Sequence, residues 1–82
     1  MSKKNISVVE LRQLNEQAAA ALAETISMWE IAMRAFPVKS QEYGAICRAG
    51  YHLQKLQAML ADEYEAATGD GSFLPREYVV FG

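Results

Sequence analysis

Pro37 is the residue that most limits what this chain can become. Its ring fixes its own backbone and pushes Phe36 toward extended geometry, so a helix arriving from the N-terminal side has to stop there. It divides two long stretches of helical periodicity, Ser7 to Phe36 and Ser40 to Thr68. The connection through Val38, Lys39 and Ser40 is short, and a short link makes consecutive helices antiparallel neighbours. The expected fold is all-α: an antiparallel two-helix hairpin with helix 1 over about 8–36, helix 2 over about 40–68 and a short extended tail over 70–82, forming a single domain.

Local signals agree with these limits. Ser7 followed three residues later by Glu10 has the form of a capping box, in which each side chain satisfies an amide of the other. The run from Leu11 to Phe36 contains neither Gly nor Pro and is rich in alanine, so its helix propensity is high. Ser40 is placed to cap helix 2, and Gly69, followed by Asp70 and Gly71, is placed to end it in left-handed conformation.

Helix 1 carries more apolar surface than one neighbour can cover. At 100° per residue Leu11, Leu14, Ala18, Leu22, Ile26, Trp29, Met33 and Phe36 form one stripe. With its flanking residues the arc spans roughly 180°, against the roughly 100° usual for a helix packed on one neighbour. Helix 2 shows a narrower seam, Ile46, Ala49, Leu53, Leu56 and Leu60, continued by Tyr64 and Ala67, and this seam is expected to face helix 1. Gly44 and Gly50 lie inside helix 2, each at a cost of about 1 kcal/mol relative to alanine. For Gly50, close approach of another backbone is the favoured reason.

The tail changes character. Tyr78, Val79, Val80 and Phe81 are aromatic or β-branched, which predicts extended backbone. So apolar a segment is expected to fold back along helix 1 or to lie on another chain.

An 82-residue chain is near the size at which one core gives only about 3–5 kcal/mol of net stability, so reinforcement is expected. Cys47 is the single cysteine, which excludes an internal disulfide and a zinc site of the usual ligand count. Association is the remaining reinforcement. Eight basic against ten acidic residues, scattered along the chain, disfavour nucleic acid. Glu24, Glu30 and Arg34 interrupt the best candidate for a membrane span. The lone cysteine and the polar N-terminus predict a cytoplasmic protein.

No cluster in the sequence assembles catalytic, cofactor-binding or metal-ligating chemistry. His52 has Arg48 and Lys55 as helical neighbours and no carboxylate to orient it, and Cys47 lies on a different face. Asp62, Glu63 and Glu65 read as a solvated helix face. The expected function is therefore that of a non-enzymatic protein–protein interaction module, an adaptor, assembly component or inhibitor. It would act through the spare face of helix 1 and the tail, with a second copy (a dimer favoured) or a larger protein as partner. The partner-binding candidates are Trp29, Met33, Phe36, Tyr51, Phe73, Leu74, Tyr78, Val79 and Phe81. Two alternatives are a small ligand-binding protein or enzyme with a site around His52 between subunits, and attachment to a membrane surface. The second is weakened by the glutamates on the polar face of helix 1, where interfacial helices present Lys and Arg.

Overall fold

The computed structural model describes residues 6–71 and 78–81. Two helices of 28 residues, α1 (Val8–Ala35) and α2 (Gln41–Thr68), pack side by side as an antiparallel hairpin. The ends are set by local chemistry. Ser7 Oγ accepts from the Glu10 amide while the Glu10 carboxylate accepts from the Ser7 amide, at 3.1 and 3.0 Å. Phe36, before Pro37, is extended, with φ −127° and ψ 146°, and α1 stops at Ala35. Ser40 Oγ accepts from the Tyr43 amide and opens α2, which Gly69 closes at φ +77°.

The residues between the helices mix small, polar and large apolar side chains. On α1 the buried positions are Leu11, Ala18, Thr25 and Ala32, a repeat of seven. On α2 they are Tyr43, Gly50, Gln54, Gln57, Leu60, Ala61 and Tyr64. Leu11, Ala18, Leu60 and Tyr64 form the buried apolar cluster.

This corrects the seam expected from the sequence. Leu60 and Tyr64 are indeed buried, but Ile46 and Leu53 are only half-buried, and Ala49, Leu56 and Ala67 are exposed. The inward face of α2 is turned away from Ile46, Leu53 and Leu56 toward Tyr43, Gly50, Gln54, Gln57, Ala61 and Tyr64. The physical reason is proximity: alanine, glycine and threonine on both helices let the backbones approach, and dispersion attraction rises steeply as they do. The polar residues in the seam cost little because they are satisfied. Thr25 Oγ1 donates to Ala21 O at 2.8 Å, and among the described residues no buried side-chain polar atom lacks a partner.

Two side-chain pairs, joined by three hydrogen bonds, fix the register of the helices. Arg12 donates through Nε and a terminal guanidinium nitrogen to Tyr64 Oη at 3.2 and 3.0 Å, and its guanidinium lies 5.7 Å from the centre of that ring. The hydroxyl contact raises the Arg12 pKa further above its already high ordinary value. At the other end Trp29 Nε1 donates to Tyr43 Oη at 3.1 Å. The molecule measures 44 × 27 × 16 Å, one helix layer thick.

Candidate interaction surface

The hairpin has two broad faces, and residues 78–81 lie on one of them. Phe81 is 5% exposed, its ring edge-on to Trp29 at 5.1 Å and to Tyr51 at 5.5 Å. The ring rests on Gly50: a Cβ there would overlap Phe81 Cε2 and Cζ and come within 2.8 Å of Cδ2. The glycine that the sequence marks as a site of close approach thus receives a ring, not a backbone. At Gly44 a Cβ would meet only the flexible end of Arg48, at 3.3 Å.

Side chains of α2 hold the backbone of the segment in place. Gln54 Nε2 donates to Val79 O at 2.9 Å, and Gln54 Oε1 accepts from the Val79 amide at 2.6 Å. Tyr51 Oη donates to Phe81 O at 2.8 Å and accepts from the Phe81 amide at 2.9 Å. Two side chains one helical turn apart therefore each supply a donor and an acceptor to the backbone of one residue, Val79 and Phe81 in turn. The intervening Val80 and the preceding Tyr78 point outward, 70% and 69% exposed.

Of the partner-binding candidates, Trp29, Tyr51, Val79 and Phe81 come together in this internal contact. Met33 and Phe36, toward the C-terminal end of α1, are exposed, and Tyr78 is exposed with its ring 6.2 Å from that of Tyr51. Phe73 and Leu74 lie outside the described residues. His52 is exposed and Cys47 half-buried. Among the described residues no group of His, Cys, Asp and Glu is placed to hold a metal ion, and no helix is long and apolar enough to cross a membrane.

The opposite broad face is bare. Leu14, Ala21 and Met28 follow the buried Leu11, Ala18 and Thr25 by three residues, and on α2 Ile46, Leu53 and Leu60 follow Tyr43, Gly50 and Gln57 by three. In antiparallel helices these flanks share one side of the pair. Leu22 and Trp29 follow Ala18 and Thr25 by four and lie on the other side, where Trp29 meets Phe81. The bare side also carries Ile31 and Leu56. Leu14 is 42%, Met28 49%, Ile31 54% and Leu56 41% exposed, although Gln54 is only 4% exposed. Large aliphatic groups therefore face water while a carboxamide is sealed inside. The candidates drawn from the sequence omit Leu14, Met28, Ile31, Leu53 and Leu56, although the seven-residue recurrence of Gly50 and Gln57 with Gln54 and Ala61 between them would mark an alternative inward face. An open concavity of about 340 Å³ beside this face is lined by Ile6, Glu10, Gln13, Leu14 and Gln17.

No protein family model matches the chain, and comparisons with curated proteins and with solved structures gave no significant match.

Proposed function

We propose that the chain is a non-enzymatic interaction module whose working surface is the bare broad face, shared between α1 and α2. One observation carries this reading: Leu14, Met28, Ile31 and Leu56 are left in water by a hairpin whose interior holds two leucines, two tyrosines and otherwise alanine, glycine, threonine and glutamine. Single exposed leucines are ordinary, but several large aliphatic groups on one side of a one-layer protein are surface that a partner would cover. Each of these side chains, fully covered, would contribute about 1.5–3 kcal/mol.

The tail has a supporting part in this reading. Its Phe81 is engaged with Trp29 of α1 and Tyr51 of α2, so one face is partly covered by the chain itself and the other is left for association. The function is thus docking, as an adaptor, assembly component or inhibitor.

Affinity capture from native cells tests it. The unaltered chain and a control altered on the wet face, Glu30→Gln, are expected to retain a stoichiometric partner, either another copy or a different protein. Met28→Glu and Leu56→Glu are expected to lose it. Equal recovery by all four chains, or no stoichiometric partner on any, would overturn the reading.

A further inference from the structure

The contact that seats residues 79–81 has the make-up of a peptide-recognition site. The hydrogen bonds from Tyr51 and Gln54 all go to backbone groups, the N–H and C=O of Val79 and of Phe81, so they read an extended chain and not its side chains. Side-chain choice enters at the next level. The Phe81 ring lies in a notch floored by Gly50 and walled by Trp29 and Tyr51, both of which it meets edge-on. Val79, two residues before it, is half-buried, while Tyr78 and Val80 are turned to water.

None of these contacts depends on the covalent link between the segment and α2. We infer that the groove between Trp29 on α1 and Gly50, Tyr51 and Gln54 on α2 is a binding site for an extended segment of another protein, and that the chain's own residues 79–81 are its resident occupant. The segment it fits has an aromatic residue for the Gly50 notch and an apolar residue two positions earlier. It has no proline at either place, because both amides donate. The main chain supplies affinity and the notch supplies specificity, as in other sites that take extended peptides.

The tether decides which occupant is favoured. The tail of a second copy would make the contacts that the chain's own tail already makes, and would lose a link that gives an effective concentration on the order of millimolar. Exchange between copies therefore gains nothing. A foreign segment gains by reaching further. The tail runs from Gln54 at Val79 to Tyr51 at Phe81, toward the turn that joins the helices. In that direction Phe36 follows Ala32 by four, as Trp29 follows Thr25, and Met33 follows Trp29 by four; both are exposed. A partner segment that fills the notch and carries one more apolar residue two positions on covers this surface. The tail is then a built-in competitor, displaced only by a segment that makes these further contacts.

Peptide competition tests the site. The probe is the end-capped peptide EYVVFG, which repeats residues 77–82. Phe81→Ala empties the notch, and circular dichroism checks that the variant stays helical. Adding the peptide to this variant is expected to return Trp29 emission toward that of the unaltered chain, saturating in roughly the millimolar range set by the tether. The unaltered chain, whose own tail competes, is expected to bind the peptide roughly tenfold more weakly. The peptides EYVVAG and EYPVFG are expected to give no response, and so is EYVVFG with the double variant Gly50→Ala, Phe81→Ala, whose notch holds a methyl group. The longer EYVVFGLG is expected to bind about threefold more tightly than EYVVFG, through its added apolar side chain. Should the variant lose its helices, the unaltered chain carries the test: excess peptide is expected to move the Phe81 amide resonance toward that of a free segment. Peptide at roughly 10 mM, above the effective concentration of the tether, that changes neither Trp29 emission nor the Phe81 resonance would overturn the site. Equal binding of EYVVAG would overturn it too. Equal binding of EYVVFG and EYVVFGLG, or a doubled light-scattering mass that Phe81→Ala abolishes, would overturn the foreign partner. The bare face enters none of these readouts, so this site and the docking reading above stand or fall separately.

Discussion

Phe81 occupies the space that a side chain on Gly50 would fill, so the last turn of the fold depends on the absence of one methyl group in the middle of α2. The ring is held edge-on by Trp29 and Tyr51, and its own backbone is held by the Tyr51 hydroxyl, which leaves it no room to retreat.

Gly50→Ala should therefore destabilise the chain. Alanine gains about 1 kcal/mol of helix propensity, but the ring has to leave a site whose burial contributes about 2–3 kcal/mol. A net loss of about 1–2 kcal/mol is expected in urea unfolding. The emission of Trp29, the one tryptophan, should move to the red as its aromatic neighbour departs.

The sign should reverse once the ring is gone. Phe81→Ala alone should cost about 2 kcal/mol, less than a central core phenylalanine because the segment can detach instead of leaving a cavity. Gly50→Ala added to Phe81→Ala should then stabilise by about 1 kcal/mol, since only the propensity gain remains. A double-mutant cycle should give a coupling of about 2–3 kcal/mol between positions 50 and 81. Additive effects would show that the ring does not sit on the glycine.

Tyr51→Phe removes one oxygen that serves two backbone groups of Phe81 and keeps the ring contacts. A loss of about 1–2 kcal/mol is expected, as for two modest hydrogen bonds at a part-buried site. Amide exchange at Phe81 should quicken while exchange in the middle of α1 stays slow. Tyr78→Phe, whose side chain is mostly in water, should change stability by less than about 0.5 kcal/mol.

The helix limits were legible because they are decided within a few residues. Ser7 with Glu10, Ser40, Pro37 and Gly69 each act on their own turn, and no distant contact can override them cheaply. The inward face of α2 was not legible from hydrophobicity. Ile46, Leu53 and Leu60 recur as regularly as Tyr43, Gly50, Gln57 and Tyr64, and ranking by hydrophobicity selects the leucines. The choice is made by two relationships that no local window contains: the small residues of α1 that allow close approach, and the backbone of Val79 that gives Gln54 both of its hydrogen bonds. Gly50 did signal a close neighbour from the sequence, but its identity lay in a segment far along the chain.

The same contrast supplies a test of which seam lies inside. Ala18 and Ala61 are buried in the seam, where three extra carbons have no space. Ala18→Leu and Ala61→Leu should each cost about 1–3 kcal/mol through overpacking, despite leucine's good helix propensity and greater hydrophobicity. Leu56→Ala, measured at a concentration low enough to hold the chain as a single copy, should cost less than about 1 kcal/mol, because its side chain is already largely hydrated in the isolated hairpin. Urea midpoints for the three variants decide the order. A seam built from Ile46, Leu53 and Leu56 would give the opposite ranking, with Leu56→Ala the most damaging and the two alanine positions tolerant, and that ranking would refute the small-residue interior.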